Sequence, residues 1–268
     1  MEIRDWNLFL LPYEQAVEEL KIKFRALRQE LKAREEYAPI EFVTGRIKRV
    51  SSILQKAKRL NVPMDRLEVG IEDIAGIRIM CQFAEDIQRV TEIIRKRKDM
   101  IVVYEKDYIT NTKESGYRSY HVIIEYPVQM SFGVKPVLAE IQIRTLAMNF
   151  WATIEHSLNY KYKQQLPEEL KFRLRKAAEA AYKLDEEMSS IRDEIVSAQQ
   201  SFEDQSNLVD RILGDIRRLY FGSRVAEALS LQARFDEAFG AGDFAALEQL
   251  SKEIRGRHAA ELADREDE

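Results

Sequence analysis

Cysteine is nearly absent from this chain of 268 residues: Cys81 stands alone, and there are only three histidines. A single thiol excludes an intrachain disulfide framework and a cysteine-based zinc site, and it fits a reducing compartment, so a cytoplasmic location is expected. Long apolar runs are missing too. The stretch from Met1 to Pro12 is too short and too interrupted by charge for a signal peptide, and no later stretch approaches a membrane span, so neither export nor insertion is expected. Positive charge is not in excess: 42 Lys and Arg against 46 Asp and Glu give a formal net charge of −4. That balance argues against a surface that coats nucleic acid, and any anion site must therefore be local. Three signatures are lacking as well, the Gly-x4-Gly-Lys-Ser/Thr loop, Gly-x-Gly-x-x-Gly and Gly-x-Ser-x-Gly, which removes the main support for P-loop, Rossmann and α/β-hydrolase readings. No His-Asp dipeptide is present, which argues against a phosphohydrolase built on that pair.

What is present falls into three textures. Tyr13, Val17, Leu20, Phe24, Leu27 and Leu31 alternate steps of four and three, the pattern of an amphipathic helix. A polar segment containing Gly45 follows, then a helix-compatible stretch from Arg49 to Leu60, stopped by Asn61-Val62-Pro63. The middle of the chain carries β-branched runs at 74–83, 101–108, 120–126 and 137–143 with a helical interval at 85–98, hence a mixed sheet with helices, α/β or α+β. In the last run Val137, Ala139, Ile141 and Ile143 form an apolar face, and Leu138, Glu140, Gln142 and Arg144 form the other. Helix returns at 151–162 and again after Pro167, with a seam at Ala177, Ala181, Leu184, Met188, Ile191 and Ile195 that calls for a partner helix. Asp204-Gln205-Ser206-Asn207 reads as a break, and Gly240-Ala241-Gly242-Asp243 as a corner between two further helices.

Two carboxylates stand out by context. Glu140 sits inside a strand, where a buried charge needs a cation, and Asp73 stands at the mouth of the first β-branched run. Mg²⁺ is the simplest cation, since one or two carboxylates and substrate phosphates suffice to hold it. Spacing alone leaves open that Glu140 pairs with Arg78 or Arg144 and that Asp73 only turns the chain. Arg46, Lys48, Arg49, Lys56, Arg78, Lys113, Arg118 and Arg144 supply the local positive field that phosphate-rich substrates require. In the run Lys113 to His121, Gly116 permits an unusual turn and Tyr117 can present a ring to a base; an ordinary strand entry is the competing reading.

Four ordered runs carry a resemblance: Pro39 to Arg46, Asp73-Ile-Ala-Gly-Ile-Arg78, Lys113 to His121, and Glu140-Ile-Gln-Ile-Arg144 continuing to Tyr162. They resemble the synthetase motifs of the RelA/SpoT family, more narrowly its RelQ-type small alarmone synthetases, over roughly Trp6 to Gln200. The resemblance implies an α+β fold, a mixed β-sheet flanked by helices and related to nucleotidyltransferases, with long N- and C-terminal helices. It implies a pyrophosphokinase that moves the β,γ-diphosphate of ATP to the 3′-hydroxyl of GDP or GTP, giving AMP and ppGpp or pppGpp. Asp73 and Glu140 match the Mg²⁺-binding acids, with Glu140 also the base. Arg46 and Arg78 match the residues around adenine, and Lys48, Ser52 and Lys56 those at the ATP phosphates. Lys113, Tyr117, Arg118 and His121 fall where the family binds the guanosine acceptor. Lys21, Arg25, Arg28, Phe42, Thr44 and Asn149 fall where RelQ-type enzymes bind the alarmone product as activator in a homotetramer; arginine at position 25 replaces an expected lysine.

These expectations divide the chain into a helical segment 1–38, a catalytic domain 39–163, an oligomerisation helix 164–200 and a helical extension 201–268 of unassigned role. The hydrolase and regulatory domains of long family members have no counterpart in the sequence, so synthesis without degradation, and without need of a ribosome, is expected. A nucleotidyltransferase using the same acids, and a non-catalytic module binding nucleotide or single-stranded RNA, are the alternatives.

Overall fold

A computed structural model describes residues 5–161, 167–222 and 224–266; Tyr162, expected at the end of a helix, and the side chains of the acidic finish Glu261 to Glu268 lie outside the described residues. Backbone packing divides the chain into two units, Met1–Ser190 and Ile191–Glu268.

The first unit is α+β. Five strands, β1 (Phe42–Ile47), β2 (Ala75–Cys81), β3 (Ile101–Asp107), β4 (Tyr120–Met130) and β5 (Gly133–Thr145), form one sheet in the order β1-β2-β5-β4-β3. Only β2 and β5 run parallel. Alternation sorts their side chains cleanly. Ile77 and Ile79 of β2, Ile141 and Ile143 of β5 and Val122 and Ile124 of β4 are buried in one core with the inner faces of α1 (Trp6–Ala33) and α4 (Ala84–Lys96). The opposite face carries Arg46, Arg78, Glu140, Gln142, Arg144 and His121, as the registers Arg78↔Gln142, His121↔Gln142 and Arg46↔Gly76 require.

The strand β1 replaces the polar segment read from the sequence. It lies at the sheet edge, where only Val43 of its six residues is buried, so its composition carries little strand signal and its pairing with β2 decides the conformation. A second local device sits in β3. The register shifts between Val102 and Tyr104, so that Val102 packs on the core while Tyr104 and Lys106 face the side of the acids.

Asp5 caps α1, its Oδ1 accepting from the amides of Asn7 at 2.9 Å and Leu8 at 3.3 Å. Tyr13, Val17, Leu20 and Phe24 then lie on the sheet, fully or almost fully buried, and Leu27 packs partly against the same core. Gly45 allows the close approach: a Cβ there would stand 2.6 Å from Val17 Cγ1 and 2.9 Å from Lys21 Cδ. Gly45→Ala is therefore expected to destabilise the first unit by about 1–3 kcal/mol through overpacking. Thermal unfolding should show a lower midpoint, and a midpoint equal to that of the wild type would contradict this packing.

Beyond the sheet, α2 (Val50–Arg59), the single turn α3 (Leu67–Gly70) and α5 (Leu146–Lys161) complete the first unit together with the start of α6 (Glu168–Phe221). The helix α6 continues through Asp204 to Asn207, where the sequence suggested a break. Asp, Ser and Asn cost a helix only tenths of a kcal/mol each, and no Gly or Pro stands there to force an end. Its seam residues Leu184, Met188, Ile191 and Ile195 are exposed.

In the second unit, residues 191–221 of α6 pack with α7 (Val225–Gly240) and α8 (Phe244–Glu266) around Leu208, Ile212, Ile216, Leu231, Phe235, Leu247, Leu250 and Ile254. The corner at Gly240 to Asp243 forms as expected, with Gly242 at φ +68°. Among the described residues, no helix is long and apolar enough to cross a membrane.

Candidate active site

The polar face of the sheet, roofed at one side by α5, forms a cavity of about 620 Å³. Into it project Arg46, Arg78, Glu140, Gln142, Arg144, His121 and Lys106 from all five strands, with Lys56 and Arg59 of α2 and Ala152, Thr153, Glu155 and His156 of α5. Asp73, Lys113 and Tyr117 enter from the loops before β2 and β4. A second concavity shares its Asp73, Lys56, Arg59 and His156 and adds Lys48, Ser52 and Gln55.

Each acid has partners of this chain. Asp73 binds Lys48 Nζ at 2.6 Å and Lys56 Nζ at 2.9 Å. Burial pushes its carboxyl up, yet the two lysines outweigh burial and hold it below the usual carboxylate value. Glu140 is bound not by Arg78 or Arg144, the partners its strand position had left open, but by His121 and Gln142. His121 Nδ1 donates to Glu140 Oε1 at 2.9 Å and the Gln142 amide donates to Oε2 at 2.7 Å. Burial again opposes ionisation, but the His121 hydrogen bond and the charges around Glu140 bring its carboxyl down to about 2. Both acids are therefore anionic at neutral pH.

Gln142 connects the site. Its carbonyl oxygen accepts from Arg144 at 2.7 Å and from Arg78 Nε at 3.3 Å. Arg144, 4 % exposed, also donates to Ser119 Oγ at 3.1 Å and to the Tyr117 hydroxyl. Tyr117 in turn lies 2.9 Å from His121 Nε2, and the network assigns the imidazole proton to Nδ1 because only that nitrogen faces a carboxylate. The ring of Tyr117 is flanked by Lys113 Nζ, 4.9 Å from its centroid, and by the Arg144 guanidinium at 5.0 Å. Burial, together with Arg46 and Arg144, pushes Arg78 below the usual arginine value, the mark of a cation crowded among cations. Such a field suits a polyphosphate.

Most of the residues singled out in the sequence thus meet in one place: Arg46, Lys48, Ser52, Lys56, Asp73, Arg78, Lys113, Tyr117, His121 and Glu140. Arg118 does not join them. Its guanidinium lies 4.4 Å from the ring of Tyr182 on α6. Lys21, Arg25 and Arg28 line up on α1 beside β1, where Arg25 donates to the Val43 carbonyl at 3.2 Å and Arg28 Nε to that of Ile40 at 2.9 Å, while Phe42 and Thr44 are exposed on β1. Asn149 stands in the first turns of α5, its carbonyl accepting from Thr153. Sequence reasoning assigned no role to Gln142, Lys106, Tyr108, Arg59, Glu155 or His156. For Gln142 the signal was available, since it alternates with Glu140 along β5.

Among the described residues no cluster of three or more His, Cys, Asp or Glu could enclose a metal ion. Asp73 and Glu140, two anionic carboxylates on one cavity, offer the hard oxygen donors that suit Mg²⁺ when substrate phosphates complete its shell. They fit that ion better than a resident zinc.

The sequence signature described as "Region found in RelA / SpoT proteins" matches residues 45–165. The chain is 57 % identical over 202 residues to the GTP pyrophosphokinase YjbM of Bacillus subtilis, which spans 75 % of this chain and 95 % of that one. It is 41 % identical over 195 residues to the GTP pyrophosphokinase YwaC of the same organism, 72 % of this chain and 93 % of that. Among solved structures, small alarmone synthetase 1 from Bacillus subtilis bound to its product pppGpp superposes with a TM-score of 0.69 at 58 % identity, covering 72 % of this chain and 99 % of that one. The same synthetase bound to AMPCPP gives 0.65 at 53 % identity, covering 73 % and 100 %.

Proposed function

The chain belongs to the RelA/SpoT family as a small alarmone synthetase, and from that premise we propose how its own residues move the β,γ-diphosphate of ATP onto the 3′-hydroxyl of GDP or GTP. The observation that carries the reading is a pair of ionised carboxylates, Asp73 and Glu140, in a cavity whose lining includes Arg46, Lys56, Arg78, Lys113 and Arg144. That is a site for highly charged phosphates with room for a divalent cation.

Arg46 and Arg78 hold the adenine, and Lys48, Ser52 and Lys56 the ATP phosphates. Tyr117 stacks on guanine, with Lys113 and His121 beside the acceptor phosphates; the position of Arg118 against Tyr182 favours a supporting role for that residue instead. Glu140 takes the proton of the 3′-hydroxyl as its oxygen attacks the β-phosphorus, and the bond from that phosphorus to the α-phosphate oxygen breaks to release AMP. Asp73 and Glu140 would hold Mg²⁺, which supplies charge neutralisation on the transferred group. Aligning the two nucleotides is the larger part of the protein's work.

The finer assignments follow the same reading. Residues 39–163 are the catalytic domain, preceded by the helical segment 1–38; residues 164–200 serve oligomerisation, and 201–268 form an added helical unit. The enzyme is cytoplasmic and a homotetramer, and Lys21, Arg25, Arg28, Phe42, Thr44 and Asn149 bind the alarmone as activator. Light scattering should give four times the chain mass, and added pppGpp should raise the initial rate; a monomer, or a rate indifferent to product, would remove these assignments. Single-stranded RNA is a further ligand for the basic cleft, and competition between a labelled oligonucleotide and ATP decides it: no binding excludes it. For the reaction itself, incubation with ATP, GDP and Mg²⁺ should yield AMP and a guanosine nucleotide carrying two additional phosphates. ADP as the co-product would contradict the reading, release of pyrophosphate would indicate nucleotidyl transfer, and binding without turnover a non-catalytic module.

A further inference from the structure

Near the α5 wall of the cavity lies a buried carboxylate that does not itself line it. Asp185 lies on α6, 5 % exposed, and its Oδ2 accepts from the hydroxyl of Thr145 at 2.6 Å. Thr145 is the last residue of β5 and is fully buried; its Oγ1 in turn accepts from the amide of Met148 at 3.1 Å, which makes it the N-cap of α5. A hydroxyl proton committed to Asp185 leaves the oxygen lone pairs facing the helix amide. One step before Thr145 stands Arg144, which holds Tyr117 and Gln142, and about two to three turns after it stand Ala152, Thr153, Glu155 and His156 of the cavity wall. The same stretch of α6 touches this side of the site at other points. A Cβ on Gly116 would meet Ala178, Tyr182 stacks under Arg118, and the Leu174 carbonyl accepts from the Trp151 indole at 2.8 Å.

We propose that Asp185 is a positioning residue for the diphosphate transfer: through the Thr145 hydroxyl it fixes the junction of β5 and α5, and thereby the placement of Arg144, Tyr117 and the α5 wall around the acceptor. The proposal rests on the functional reading above. Its energetic signature is distinctive. Burial pushes the Asp185 carboxyl up to about 6, Glu85 adds to the rise and the Thr145 hydrogen bond opposes it. An acid whose folded-state value exceeds its unfolded one destabilises the folded state progressively as pH rises from about 4 to above 6.

The test compares Asp185→Ala, Thr145→Val, their double variant and Asp185→Asn in the full-length protein, measuring kcat and each KM with ATP and GTP at pH 8 alongside thermal melting. Asp185→Ala and Thr145→Val should each lower kcat about tenfold with the KM for ATP within about twofold of wild type, as expected of a small misplacement. The double variant should lose no more than either single one, because the two residues act as a unit. Asp185→Asn keeps an oxygen acceptor and should recover most of kcat while melting above wild type. If Asp185→Ala does not fold, Thr145→Ser, which retains the hydroxyl, should keep wild-type kcat where Thr145→Val does not. A kcat within about twofold of wild type for folded Asp185→Ala and Thr145→Val, or losses that multiply in the double variant, would overturn the proposal. No diphosphate transfer by the wild-type protein would overturn the functional reading itself, a separate result visible in the control.

Discussion

Replacing Glu140 with alanine is expected to lower kcat by about 10³-fold or more, the scale of removing a general base together with a cation-holding carboxylate. Nucleotide binding should largely survive. Glu140 lies in the middle of β5, 14 % exposed, and hydrogen-bonds His121 and Gln142 rather than any arginine or lysine of the cavity. Those cations remain in place when it is lost. The variant does leave the His121 Nδ1 proton and one Gln142 amide donor without their acceptor inside a nearly buried network, so a lower melting temperature accompanies the loss of rate. Glutamine at position 140 separates the two effects: it retains an oxygen for His121 but cannot take a proton. Glu140→Gln loses the charge and offers one oxygen to two donors, so it should melt between Glu140→Ala and wild type and remain inactive. Equilibrium binding of a non-hydrolysable ATP analogue, measured beside turnover, checks this directly, and rapid turnover in either variant would remove Glu140 from the role of base.

The second large effect is expected for Asp73→Asn. Asp73 is the acceptor of two lysine ammonium groups at 2.6 and 2.9 Å and is only 14 % exposed, so the neutral amide leaves Lys48 and Lys56 facing each other without a counter-charge. Catalysis should fall by about 10³-fold, since the site loses one of the two carboxylates proposed to hold a divalent cation. Stability carries a pH signature of its own. The Asp73 carboxyl is held below its ordinary value, so its contribution is fully present above the ordinary carboxylate range and is lost as pH falls through its folded-state value. The wild type should melt above Asp73→Asn at pH 7, and the difference should shrink on acidification below pH 4. A constant difference across that range would mean the lysine pairs contribute little.

How much of this was legible before the structure depends on whether the cause was local or distant. The alternation along β5 is local: Val137, Ala139, Ile141 and Ile143 had to share one face and Glu140, Gln142 and Arg144 the other, and the core and the cavity divide along that line. The seam of α1 was equally readable, and Tyr13, Val17, Leu20 and Phe24 are buried as their spacing required. The strand β1 was not readable, because half of Phe42-Val-Thr-Gly-Arg-Ile is polar or glycine and only pairing with β2, some 30 residues later, makes it extended. The continuity of α6 through Asp204 to Asn207 was missed for the opposite reason. Local polarity suggested a stop, but weak helix formers in the interior of a long helix do not end it.

The site follows the same rule. Family-like runs gave most of the residues that line the cavity, while the links between runs stayed hidden. His121 instead of an arginine on Glu140, the fork of Arg78 and Arg144 on one Gln142 oxygen, Arg118 on Tyr182 and Thr145 on Asp185 all join residues separated by 19 to 64 positions, Arg144 and Gln142 apart. No periodicity encodes such pairs. The β3 bulge is a further instance: without the shift after Val102, strict alternation would place Lys106 on the core side, away from the cavity it lines.

Which phosphorus of ATP is attacked decides the reaction, and isotope tracing reads that directly. The protein is supplied with GDP or GTP, Mg²⁺ and ATP labelled in turn at the α- and γ-phosphates, and the products are separated. Transfer of the β,γ-diphosphate predicts γ-label in the guanosine product and α-label wholly in AMP. Appearance of α-label in the guanosine product would contradict it and make the chain a nucleotidyltransferase acting through the same two carboxylates.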